Sequence, residues 1–362
     1  MNSKERVYAS LNRQNPDRVP IWMWFHPETA EILAKTLEIP AWYVSTALED
    51  DVRQTWVANN YAMEGIVHQY DGETHTDQWG IKWVKVGPFN QIKHYPLADV
   101  SDEEIANYRF PDEKIPELLQ NMEPVIAQKD EYFIGCDVSP CLFELICRLR
   151  NMENAIVDFL LKPHIMDSLL EKATDFAVKI SQEAVNRFDV DWLWTGDDVG
   201  GQHALILDPD TWRASIKPRL KRILDTGKQK GLWTAFHSCG EIRSIIPDLI
   251  EIGVQVLNPI QCNCPGMNPE ELKREFGKDL SFMGGVDTQE LLPKGTAAEV
   301  EKTTAKLIDV LTSDGGGFIL AASHTVPPET PLENIFAMYA VAGVSKEKIY
   351  DNAADIRRKF QK

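Results

Sequence analysis

A closed (β/α)8 barrel is the fold class this sequence predicts, and three observations predict it. From about residue 130 onward, short apolar runs alternate with helix-compatible segments, the order in which parallel β/α units are laid down. Two further apolar runs ahead of that point bring the candidate strands to eight. The polar, chemically capable residues fall just past these runs, and a barrel carries its chemistry on the loops at the carboxyl ends of its strands.

Taken in order, the first strand is 19–25, Val19-Pro-Ile-Trp-Met-Trp-Phe25, and 52–58 is a weaker second. The remaining six are 133–138, 190–195, 232–237, 254–260, 280–286 and 317–322. Helices follow them, for example over 209–230 and 269–276. An open doubly wound sheet is the competing fold, but no Gly-rich phosphate loop follows the first strand. Residues 60–130 break the rhythm. There Trp79-Gly-Ile-Lys-Trp83-Val-Lys-Val86 alternates at period two and Gly87-Pro88 punctuates it, so an antiparallel hairpin followed by short acidic helices is inserted in the barrel, where it could serve as a lid. The whole chain, 1–362, reads as one domain carrying that insertion.

With 362 residues, 43% of them hydrophobic, the chain can bury a sizeable core. Its 55 acidic residues against 38 basic ones give a net charge of -17, which repels a phosphate backbone and excludes nucleic acid as a partner. No apolar run is long enough to cross a bilayer, and Met1-Asn-Ser-Lys-Glu-Arg6 lacks a secretory hydrophobic segment, so the expected location is the cytoplasm. Six cysteines are too sparse for a disulfide scaffold and are expected as free thiols or metal ligands.

The stretch Thr234-Ala-Phe-His237-Ser-Cys239-Gly240 carries the sharpest chemical signal. Alternate residues of a strand share a face, so His237 and Cys239 would point together as a zinc half-site. Their plain alternative is a core cysteine beside a hydrogen-bonded histidine. Other candidates at strand ends are His26, Asp137, Asp197, Asp198, Gln261 and Asp287. Asp197 and Asp198 could orient a ligand histidine or shuttle a proton, or else be helix N-terminal charges. Glu144 could add a carboxylate to the site or simply start a helix. Gly284 and Gly285 before Asp287 would leave room for substrate or make a tight turn. Trp22, Trp24 and Phe25 are core, or flat apolar walls for an aromatic ring. The pair Cys262 and Cys264 is an alternative source of ligands, whereas Cys136, Cys141 and Cys147 lie among apolar residues and are read as packing.

With the strands placed, His237-Ser-Cys239-Gly240, Gly284-Gly285-Val286-Asp287 and Ile319-Leu-Ala-Ala-Ser-His324 followed by Pro328-Glu-Thr-Pro331-Leu-Glu-Asn334 resemble the uroporphyrinogen decarboxylase superfamily. That superfamily includes zinc-dependent corrinoid methyltransferases, and the similarity runs from Arg18-Val-Pro-Ile-Trp22 nearly to the end. It implies the barrel independently of the strand count. Decarboxylases of the family hold a polycarboxylate with an arginine pair just after the first strand, but the matching stretch here is Trp22-Met-Trp24-Phe25-His26-Pro27. Burying unpaired carboxylates is costly, so this aromatic segment suits another substrate. The methyltransferases carry His-x-Cys at the fifth strand and a third ligand, usually Cys, after the eighth. His237 and Cys239 keep the first two, and Ser323-His324 stands where the last cysteine is expected.

The resemblance therefore implies a His237, Cys239, His324 zinc set with one open position. Imidazole in place of thiolate leaves the ion more Lewis acidic, which favours an ether oxygen over a thiol. The expected activity is transfer of a methyl group from an O-methylated, aromatic substrate to the cobalt of a separate corrinoid protein, since this chain has no corrinoid motif of its own. Trp22, Trp24, Phe25, His26, Glu144 and Gln261 are the expected substrate-binding residues, and Asp197, Asp198 and Asp287 the expected catalytic ones. The alternatives are a metal-free decarboxylase, a methylcobamide:thiol methyltransferase, and a non-enzymatic barrel with a closed structural zinc. A homodimer is compatible with such a chain.

Overall fold

Ten strands are present in the computed structural model, which describes residues 1–58 and 70–360: β1 (Val52–Trp56), β2 (Thr74–Thr76), β3 (Lys82–Val86), β4 (Phe89–His94), β5 (Phe133–Asp137), β6 (Trp192–Gly196), β7 (Trp233–His237), β8 (Val256–Asn258), β9 (Ser281–Val286) and β10 (Phe318–Ala322). The part of the predicted insertion from 60 to 69 lies outside the described residues. Every residue of β5, β6, β9 and β10 is buried, which explains their continuous apolar runs: a parallel strand covered on both faces has no polar side to alternate with. The chain comprises two compact units, residues 1–53, 130–133 and 256–362 in the first and residues 54–129 and 134–255 in the second.

In the second unit β5, β6 and β7 are parallel neighbours, with Gly135 opposite Trp192, Trp194 opposite Ala235 and Gly196 opposite His237. The 25-residue helix Pro163–Arg187 leads from β5 toward β6. After β6 the predicted helix over 209–230 is two helices, Pro209–Ser215 and Lys217–Lys228. Pro218, in the first turn of the second, has no N–H to continue the first, so the break falls one turn ahead of it. The predicted hairpin is β3 and β4, antiparallel about Gly87, and β2 adds a third strand with His75 opposite Trp83. Short helices such as the acidic Asp102–Asn107 follow it.

One carboxylate holds the start of that small sheet. Asp77 is buried and accepts from the backbone N–H groups of Trp79 and Ile81 and, at 2.8 Å, from Nε1 of Trp83. Asp77→Ala should leave these donors buried without partners and cost on the order of 3 kcal/mol in urea unfolding. A loss within about 0.5 kcal/mol, the range of an ordinary surface substitution, would contradict this account.

In the first unit β8, β9 and β10 run parallel. The predicted first strand is not a continuous strand. Residues 19–25 touch their partners through isolated parallel bridges, Ile21 with Leu320 and Phe25 with Val326. Trp22 N–H donates to Leu320 O and His26 N–H to Val326 O, while Leu320 N–H donates to Pro20 O and Val326 N–H to Trp24 O. Pro20 can only accept, and the chain leaves β10 at Ala322 before returning at Val326, so the ladder is interrupted. His26 ends this segment by capping helix Pro27–Leu37, its Nδ1 accepting from Glu28 N–H. No helix among the described residues is long and apolar enough to cross a membrane.

Candidate metal and substrate site

In the second unit the ends of β6 and β7 bring five of the predicted residues together. Threonine and aromatic residues build β7, and its last residue, His237, is followed by a sharp turn in which Gly240 has φ +85°. A Cβ at Gly240 would meet the Gly200 backbone at 2.5 Å, so only glycine lets this turn sit against the loop after β6. The turn directs both metal-competent side chains to one place: His237 Nε2 lies 3.6 Å from Cys239 Sγ. A tetrahedral zinc with ordinary Zn–N and Zn–S lengths requires a separation of about 3.5 Å between two such atoms. The pair therefore fits a zinc half-site without rearrangement.

Asp198 supports the same turn. Its Oδ1 accepts from Cys239 N–H at 2.8 Å and stands 3.6 Å from His237 Nε2. The adjacent Asp197 is fully buried and faces elsewhere, accepting from Phe143 N–H at 3.0 Å and Glu144 N–H at 2.7 Å. It caps helix Phe143–Arg150, and its own N–H donates to His237 O. Burial pushes the Asp197 carboxyl up to about 8, with the nearby Glu144 and Asp198 charges adding to the rise. Glu144 pairs with Arg148 at 2.5 Å and accepts from Asp198 N–H at 3.4 Å.

Asp137 ends β5 and is buried with Ser139 and Gln54 as donors: Ser139 gives its N–H and its hydroxyl to Oδ1, and Gln54 Nε2 donates to Oδ2 at 3.1 Å. Trp192 Nε1 in turn donates to Gln54 Oε1 at 2.7 Å. Burial, only partly offset by these donors, pushes the Asp137 carboxyl up to about 8. The unfolded group titrates near 4, so the native state holds a proton that the unfolded state releases between these values. Stability from this group is therefore full below about pH 4, declines as pH rises to about 8, and is constant above. Asp137→Asn cannot ionise, so its stability relative to wild type should improve across that window, by at most about 1.4 kcal/mol per pH unit. Urea unfolding at about pH 5 and about pH 8.5 tests this; a difference independent of pH would contradict it.

The other candidates lie in the first unit. His324 is exposed and its ring lies 5.1 Å from that of Trp24, tilted by 32°. Trp22 and Phe25 are half-buried, and Gln261 is buried in the loop after β8. Asp287 accepts from the N–H groups of Gln289, Glu290 and Leu291, so its carboxylate caps the turn that follows β9. Gly284 and Gly285 have φ +104° and +102°, and a Cβ on them would come within 2.9 Å of Pro259 and 2.8 Å of Leu307. Close packing on these neighbours requires both glycines. Cys262 is half-buried with its thiol pushed up to about 12 by burial, and Cys264 is buried. Cys136, Cys141 and Cys147 are buried, as their apolar surroundings predict.

Sequence reasoning missed Gln54, Ser139 and Arg148. Only Arg148 had a visible signal, its i, i+4 spacing from Glu144 on one helix.

A family model described as uroporphyrinogen decarboxylase (URO-D) matches residues 2–343. The chain is 25% identical over 179 residues to a protein of Methanosarcina barkeri named methylcobamide:CoM methyltransferase MtaA, a stretch covering 49% of each chain. It is 24% identical over 248 residues to a methylated-thiol–coenzyme M methyltransferase of Methanosarcina mazei, covering 68% of this chain and 63% of that one. The matched stretches thus span about half and just under two-thirds of these relatives. A solved structure of a methyltransferase from Methanosarcina mazei superposes with a TM-score of 0.67 at 16% identity, covering 95% of this chain and 98% of that one, and shares the fold. The strand order, the helices between the strands and the family match lead to one conclusion: this chain is an α/β barrel and belongs to the uroporphyrinogen decarboxylase (URO-D) family.

Proposed function

We propose that this protein is a zinc-dependent methyltransferase that takes a methyl group from an O-methylated substrate, an aryl methyl ether, and passes it to the cobalt of a separate corrinoid protein. The 3.6 Å separation of His237 Nε2 and Cys239 Sγ carries the reading. These two residues are the ligands we assign to the metal, and His324, which stands where the family resemblance expects a third, is assigned with them from the sequence. Zinc bound there would act as a Lewis acid toward the substrate oxygen, lowering the cost of the negative charge left when the methyl departs.

The chain's own residues supply the rest. Asp198 holds the Cys239 N–H and so keeps the thiol in place. Trp24 lies against the His324 ring and limits its rotation. Trp22, Trp24 and Phe25, all half-buried, are assigned as apolar walls for the substrate ring, and His26, Glu144 and Gln261 as polar substrate-binding residues. Asp198 is assigned to support of the ligands, and Asp197 and Asp287, whose carboxylates cap helix Phe143–Arg150 and the turn after β9, are assigned to proton handling. The relatives' names, with methylcobamide on one and coenzyme M on both, support methyl transfer involving a corrinoid. The proposed location is the reducing cytoplasm, and none of the six cysteines is joined in a disulfide.

Those names also favour a second reading, transfer to or from a thiol. Incubation with a Co(I) corrinoid protein and a panel of methoxylated aromatics and methylated thiols, followed by cobalt absorbance, separates the two. Methyl-cobalt formed from the ethers supports the first reading, and methyl-cobalt formed from thiols alone supports the second. Methyl-cobalt from neither, with carbon dioxide released from a carboxylated compound, would overturn both.

A further inference from the structure

We infer that Arg148 is a positioning residue for the metal half-site, acting through Glu144 and Asp198 and anchored by the inserted sheet. The inference rests on the zinc reading above. It starts from a chain of contacts within the second unit. Trp83 of β3 is fully buried and fixed by its Nε1–H donation to Asp77 at 2.8 Å. The Arg148 guanidinium carbon lies 5.9 Å from the centroid of the Trp83 ring, within cation–π range. One nitrogen of that guanidinium meets Glu144 Oε1 at 2.5 Å, with the Arg148 side chain 6% exposed. Oε2 of the same carboxylate accepts the N–H of Asp198 at 3.4 Å, and Asp198 Oδ1 accepts the N–H of Cys239 and faces His237 Nε2.

Each link restrains the next. A carboxylate at the start of a helix has several rotamers open to it, and a charged partner one turn away on a buried guanidinium selects one of them. That choice sets where Oε2 stands, and Oε2 helps hold the backbone of Asp198. With Asp198 held, its carboxylate fixes the Cys239 turn, which needs its thiol and the imidazole of His237 at metal-binding separation. The insertion therefore does more than cover the chain. It provides the rigid aromatic surface on which the arginine rests.

The test is zinc affinity, read by competition with a chromophoric chelator, together with the thiolate-to-metal absorption of the cobalt(II)-substituted protein. Wild type, Arg148→Met, Arg148→Lys, Glu144→Gln and the Arg148→Met/Glu144→Gln double variant are compared, each checked for a cooperative thermal transition. Arg148→Met and Glu144→Gln should each weaken zinc binding about 10-fold and alter the cobalt spectrum, the range seen when an outer partner of a ligand is removed. The double variant should be no weaker than either single one, because both act on one path, and Arg148→Lys should recover part of the loss. Wild-type affinity and spectrum in Arg148→Met, or losses that simply add in the double variant, would overturn the inference while leaving the zinc site standing. Wild-type protein that takes up no zinc or cobalt would overturn the zinc reading and this inference with it.

Discussion

On the zinc-dependent reading proposed above, Cys239→Ser protein should fold as wild type does, yet bind little zinc and lose about 10³-fold or more in methyl-transfer rate, roughly 4 kcal/mol of transition-state stabilisation. The direction follows from ligand chemistry: a serine hydroxyl stays protonated at neutral pH, and a neutral oxygen replaces thiolate poorly on zinc. The fold should survive because what the structure requires at this position is the backbone. Cys239 is half-buried, and its N–H donates to Asp198 whatever side chain it carries. His237→Ala should lose zinc to the same extent, but its ring also lies 6.3 Å from that of Trp194, so a small loss of stability is expected as well. Zinc content by elemental analysis and the rate of methyl-cobalt formation are the measurements. Full zinc content in Cys239→Ser would show that the metal, if bound, sits elsewhere, and the pair Cys262 and Cys264 would become the next candidate.

The largest effect on stability is expected at Asp51. Its side chain is fully buried and lies between two guanidinium groups, Arg6 at 2.6 Å and Arg18 at 2.7 Å, while its Oδ2 also accepts Ile21 N–H at 2.8 Å. Arg6 lies on helix Ser3–Leu11 and Ile21 begins the segment that carries Trp22, Trp24, Phe25 and His26. One carboxylate therefore ties the first helix to the stretch on which the proposed substrate walls stand. Asp51→Asn leaves Arg6 with only the partly exposed Asp17 and Arg18 with only Glu49 at 3.8 Å, so the buried sides of both guanidinium groups lose their counter-charge, and breaking a buried cluster in this way costs about 3–5 kcal/mol. The denaturation midpoint should fall while the slope of the urea transition stays the same. Replacing Asp51, Arg6 and Arg18 together with apolar residues of similar volume should restore much of the loss, since desolvation offsets most of what such a cluster contributes. A stability for Asp51→Asn within about 1 kcal/mol of wild type would mean that Asp17, Glu49 and solvent neutralise the two arginines without Asp51.

Most of the barrel was legible because parallel strands covered on both faces leave continuous apolar runs. The predicted strands at 133–138, 280–286 and 317–322 match β5, β9 and β10 to within one residue at each end. The helix predicted at 269–276 is present as Pro269–Phe276, where Asn268 provides the cap and the proline begins the first turn. The exception is 19–25. Its composition reads as a strand, but how far a strand extends depends on the partner, and the partner leaves after Ala322.

The site was legible in part for a related reason. His237 and Cys239 were readable together because their spacing is local and a strand imposes period two on it. Asp197 and Asp198 were readable only as an acidic pair at a strand end. That one caps a helix 53 residues away in sequence while its neighbour holds the turn 41 residues ahead depends on chain segments that folding alone brings together. Asp287 likewise carries no mark distinguishing a carboxylate that caps a turn from one that faces a substrate. The order of elements, the chemistry at the end of each strand and the family were set by the amino-acid sequence itself, through local periodicity and residue type. Which carboxylate is buried and which one faces the His237 and Cys239 pair were decided by tertiary structure, because a hydrogen bond depends on a few tenths of an ångström between groups that sequence spacing does not bring together.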